Sequence, residues 1–136
     1  MIEAVFGTIT AIIIIILSRA LSAFFSTRLI ASTILVAIAF IYVGFSLQTN
    51  LISSIVLETS VALFFYFLAL TGCMKKSLLI AYGILLHGVW DVLHHKGLVA
   101  TSVPEYWPSF CFVVDVVAGL YFLFVFRARK KNSQQL

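Results

Sequence analysis

The chain is short of charge. Only 10% of its 136 residues are charged, against roughly a quarter in soluble domains. So few charges cannot cover the surface of a soluble fold of this size. Proline is nearly absent, with two residues, as suits packed, lipid-facing helices. No basic region precedes the first apolar run, which is also too long for a signal peptide; Glu3 is its only early charge. That run is expected to stay as the first span. There is no internal repeat of the kind that builds inverted-repeat carriers. Two cysteines are present, Cys73 and Cys111. They are expected at opposite membrane surfaces, whereas a disulfide needs Cα atoms within about 7 Å, so no bridge is expected.

What is present is hydrocarbon. Hydrophobic residues make up 62% of the chain and phenylalanine alone supplies 13. The length fits one domain, and the composition is that of an integral membrane protein. Five apolar segments approach the ~20 residues a crossing needs. They lie near 2–25, 29–47, 51–73, 77–95 and 107–126. The expected fold is all-α, a polytopic bundle of five transmembrane helices in one domain over 1–127, with a basic cytoplasmic tail over 128–136.

The net charge of +4 does not point to nucleic acid, because the basic residues sit in short clusters between apolar runs. Arg28, Lys75, Lys76, Arg127, Arg129, Lys130 and Lys131 all fall on one side if the spans alternate, and Lys96 alone falls on the other. The positive-inside rule then places the N-terminus outside and the C-terminus in the cytoplasm, in an inner (cytoplasmic) membrane. Arg19 is read as snorkelling or paired. Gly7, Ala11, Ser18 and Ser22 form a small-residue stripe suited to close helix contact. Residues 133–136 are read as a frayed end.

Function is concentrated in the stretch 85–95, Leu-Leu-His-Gly-Val-Trp-Asp-Val-Leu-His-His. It holds all three histidines and one of five acids. On a helix stepping ~100° per residue, His87, Asp91 and His94 lie within ~60° of one another, with His95 just beside them. Glu58 on span three is expected ~10 Å deep, and Asp115 on span five ~12 Å deep, level with His87. Cys111, Asp115 and Gly119 share a face at spacings of four. A buried ionisable group costs kilocalories unless protonated, paired or metal-bound. Three helices bringing such groups to one depth therefore point to a shared polar cavity.

Imidazole and carboxylate together suit a transition metal, with zinc or iron favoured. The expected ligands are His87, Asp91, His94 and His95; Asp91, Glu58 and Asp115 are the expected acid, base or orienting groups. A plainer reading stands beside this one. His94 and His95 can mark a wetted interface, His87 and Asp91 can form a pair that fixes helix packing, and Glu58 can be a protonated helix contact. Trp90 is read as packing or anchoring.

The segment His87-x-x-x-Asp91-x-x-His94-His95, with Trp107-Pro108-x-x-Cys111-x-x-x-Asp115 after it and Glu58 before it, resembles a group of short bacterial integral membrane proteins of uncharacterised function. The resemblance implies that these positions act together and implies no activity. Asp91-x-x-His94-His95 also looks like the HxxHH box of membrane desaturases, which use many more histidines. The alkaline ceramidase and adiponectin-receptor superfamily is similar only in strategy, since it needs seven spans and an HxxxH pair.

The expected function is a small membrane enzyme with an outward-opening site, acting on a lipid or isoprenoid-like substrate by hydrolysis or isomerisation. A proton- or cation-linked transporter, active as a homo-oligomer, and an accessory subunit of a membrane complex are the alternatives.

Overall fold

A computed structural model describes residues 1–49, 51–99, 101 and 103–133, the last two without their side chains. It contains five helices: α1 (Ile2–Leu21), α2 (Thr27–Gln48), α3 (Ile52–Met74), α4 (Leu78–His95) and α5 (Tyr106–Ser133). All five are long and apolar enough to cross a membrane. Among the described residues there is no strand.

Two boundaries differ from the sequence expectation. Helix α1 stops at Leu21 rather than near 25. The Ser22 hydroxyl donates to the Arg19 carbonyl, and the amides of Phe24 and Phe25 both turn back to Leu21. Ser26 then starts α2 as an N-cap, its side chain accepting from the Leu29 amide at 3.2 Å. At the other end, α5 runs past 126 to Ser133. Arg127, Ala128, Arg129, Lys130 and Lys131 are all good helix formers, so the expected tail over 128–136 continues as helix through Ser133. The rest of the expected frayed end, 134–136, lies outside the described residues.

Helix α1 packs mainly along α5 and α5 along α4; α4 also meets α3 and α2, and α3 lies along α2. The contacts use small residues. A Cβ on Gly7 would fall 2.8 Å from the Phe110 carbonyl oxygen, so α1 and α5 approach at a distance only glycine permits. Gly7, Ala11 and Ser18 of the expected stripe are buried, while Ser22 is exposed. Ala31, Ala39, Ala62, Ala69, Ala81 and Ala118 fill the centre around Leu35, Ile84 and Phe122. Large side chains such as Ile13, Phe67 and Phe124 point outward, the arrangement a lipid solvent favours.

The apolar core occupies the end of the bundle toward Phe126. Toward the end marked by His95, the interior turns polar: Tyr42, Glu58, His87, Asp91, His94 and Asp115 are all buried. Helix α4 is closed there by a Schellman motif. The Gly97 amide donates to the His94 carbonyl and the Leu98 amide to Leu93, with Gly97 at φ 65°. The chain is thereby turned back over the bundle end, where Thr101 is buried.

Candidate functional site

The i, i+4, i+7 spacing on α4 does what helical geometry requires: His87, Asp91 and His94 all face inward and are buried. Each meets a group from another helix. His87 Nδ1 lies 2.7 Å from Asp115 Oδ2 on α5 and 3.8 Å from Asp91 Oδ1. The Tyr42 hydroxyl, from α2, donates to Asp91 Oδ1 at 2.7 Å. Phe65 of α3 meets the His87 ring edge-on, with centroids 5.1 Å apart. Gly88 faces Asp115 across the α4–α5 contact, and a Cβ there would sit 3.5 Å from that of Asp115, an ordinary packing distance.

Beside this triad lies a second polar group. Glu58 Oε1 lies 2.9 Å from His94 Nε2 and accepts the Thr101 hydroxyl at 2.6 Å; Glu58 Oε2 accepts the Trp90 indole N–H at 3.2 Å. His94 Nδ1 lies 3.1 Å from the Trp90 carbonyl. A carbonyl can only accept, so Nδ1 carries a hydrogen. One proton is then shared between Nε2 and Glu58, either as imidazolium on carboxylate or as carboxylic acid on imidazole. Tyr42 joins the two groups: its ring stacks on His94, with centroids 4.3 Å apart, while its hydroxyl holds Asp91.

The two groups differ in how fully they are satisfied. Both carboxylate oxygens of Glu58 and both ring nitrogens of His94 have partners. In the triad, His87 Nε2, Asp91 Oδ2 and Asp115 Oδ1 have no hydrogen-bond partner among the described residues. Such atoms are rare in native interiors and ask for a ligand, a water or a proton.

The donor set fits a metal ion. Among the described residues, His87, Asp91 and Asp115 form a group whose ligand atoms all lie within 4.8 Å of one another. Metal–ligand bonds of about 2.0–2.2 Å at tetrahedral angles put donor atoms roughly 3.4 Å apart. Measured from His87 Nδ1, the ring nitrogen that faces both aspartates, the separations of 2.7 Å to Asp115 Oδ2 and 3.8 Å to Asp91 Oδ1 bracket that distance. An ion would therefore sit at Nδ1 and leave Nε2, on the other side of the ring, to a water or a proton. Two ionised aspartates and a neutral histidine would carry −2, the charge a divalent cation cancels.

The sequence model of a family of unknown function, DUF6010, matches residues 2–129. The chain belongs to this family. The match takes in all of α1 to α4, α5 through Arg129, and every residue of the polar assembly in this DUF6010 member. No curated protein and no solved structure matches the chain.

Of the residues singled out by sequence in this family member, His87, Asp91 and Asp115 meet as one set, and Glu58 and His94 meet beside it. His95 joins neither. It is exposed, and its Nδ1 lies 3.1 Å from the Ser109 hydroxyl. Eight residues from His87 is ~80° around the helix, enough to turn it out of the interior. Cys73 and Cys111 are free thiols. Tyr42, Thr101 and the polar role of Trp90 escaped the sequence reading. Tyr42 carried one signal, a hydroxyl in an otherwise untroubled apolar span.

Proposed function

We propose that this protein is a metal-dependent integral membrane enzyme of a bacterial inner membrane, with its N-terminus and the His95 end of the bundle outside and its C-terminus in the cytoplasm. His87, Asp91 and Asp115 hold one transition metal, zinc or iron. A buried histidine and two buried aspartates whose ligand atoms all lie within 4.8 Å of one another are the observation that carries this reading. A metal there supplies an activated water or a polarised carbonyl. Hydrolysis or isomerisation of a lipid-like molecule fits a site at membrane depth with too few histidines for a di-iron centre.

The surrounding residues have distinct tasks. The Tyr42 hydroxyl fixes the Asp91 carboxylate through Oδ1, whose remaining lone pair still faces His87 and the ion. Glu58 and His94 keep a proton in reserve beside the metal, as an acid or base must. Thr101 and Trp90 hold Glu58 in place from the loop and from α4. The basic clusters at the opposite end support the orientation. The packed apolar core beneath the assembly weighs against a transport path through a single copy.

Metal analysis of the purified protein is the test. About one zinc or iron per chain is expected, lost in Asp115→Asn and recovered on reloading the wild type after chelation. A wild-type protein that arrives without transition metal and takes up none when zinc is supplied would remove the metal from this reading.

A further inference from the structure

Two cavities open at the His95 end between α1, α4 and α5. The larger, about 810 Å³, is lined by His94, His95, Thr101, Glu105 and Ser109. The smaller, about 370 Å³, has Asp91 on its wall, with Val92, Phe112 and Val113. Glu3, His95, Pro108 and Ser109 line both, so the spaces adjoin at the His95–Ser109 contact. Asp91 is nevertheless fully buried, so the smaller cavity ends against this residue without wetting its carboxylate, whose Oδ2 has no partner among the described residues.

We propose that these cavities form the route by which a hydrated divalent cation reaches the triad, with the His95–Ser109 pair as its neck. This rests on the metal reading above. Glu105 stands at the outer chamber and Asp91 behind the wall of the inner one, while the charge of Glu3, which lines both, is cancelled by the terminal ammonium. Among the described residues no lysine or arginine lines either space, and the terminal ammonium there is paired with Glu3 at 3.0 Å. Such a lining favours cations over anions. Size also permits it: a shell of six waters at about 30 Å³ each needs roughly 180 Å³, less than either cavity holds. Beyond the neck, Val92, Phe112 and Val113 make the wall apolar, and the last step is a local opening at Asp91 in which its carboxylate replaces water on the ion. His95 thus serves passage rather than permanent ligation.

Cobalt(II) uptake by metal-free protein, followed by its visible absorption, tests the route. Ser109→Trp should fill the neck and slow uptake at least tenfold while reaching the wild-type final spectrum; Ser109→Ala should load at the wild-type rate. Should the tryptophan variant fail to fold, Ser109→Cys labelled with a bulky maleimide after purification replaces it, against wild-type protein treated identically. Uptake at the wild-type rate with the neck filled overturns the route and leaves the metal site standing. Wild-type protein that binds no cobalt overturns both.

Discussion

Two buried polar groups stand side by side at one end of this bundle, and they are finished to different degrees. In Glu58 and His94, each carboxylate oxygen and each ring nitrogen has a partner in Thr101, Trp90 or the other residue. His87, Asp91 and Asp115, equally buried, leave one atom each unspent. The first group needs nothing more to be stable in a low-dielectric interior, whereas the second carries a cost that only a ligand or extra protons remove. Burial alone therefore does not mark the site. The difference in satisfaction does.

The contrast can be broken by experiment. Replacing Glu58 by leucine strips an acceptor from His94, Thr101 and Trp90 at once. At about 1–3 kcal/mol for each buried group left unpaired, we expect roughly 3 kcal/mol or more of lost stability in thermal melts, with metal stoichiometry kept wherever the protein is folded. Asp115→Asn should do the reverse. Its shape is retained, so melting of the metal-free protein should move little, but affinity should fall by more than the 10–100-fold typical of outer-shell changes. Titration with zinc against a competing chelator measures this. If the two variants behave alike, the groups are one unit and the contrast is lost.

Tyr42→Phe sharpens the division between them. It keeps the ring stacked on His94 and removes only the hydroxyl on Asp91, so zinc affinity should drop about 10–100-fold. Unchanged affinity would reduce Tyr42 to packing. The smallest effect belongs to His95→Ala. It is expected to lie within about 0.5 kcal/mol for both stability and equilibrium metal binding, as for an exposed position. A large loss of bound metal at equilibrium would return His95 to the ligand set.

Much of this was legible in the sequence, for physical reasons that also mark where reading stopped. Apolar run length exposed five helices able to cross a membrane, and helical period placed His87, Asp91 and His94 on one face. Equal depth along antiparallel spans brought Asp115 and Glu58 to the same level. None of these signals tells which side chains actually touch. That the acids and imidazoles divide into two groups depends on helix rotation about each axis, which is set by packing at positions such as Gly7 and Gly119. Tyr42 was hidden because a lone tyrosine in an apolar span looks like any aromatic packing residue. His95, expected among the ligands, lies ~80° around the helix from His87 and is exposed, an angle that proximity in sequence hides. The end of α1 was misplaced because Phe24 and Phe25 prolong the apolar run while the backbone has already turned.

Thr101 has no periodic signal at all, since a loop's path is not written in its hydropathy. That path begins at Gly97, whose positive φ reverses the main chain immediately after α4. The wetness of Glu58, a residue on α3, is thus governed from a hairpin bend joining two other helices. Lengthening that bend by a few residues would slacken the strap over the carboxylate and let bulk water take the alcohol's place. Solvent access to the acid would then change without touching any side chain around it.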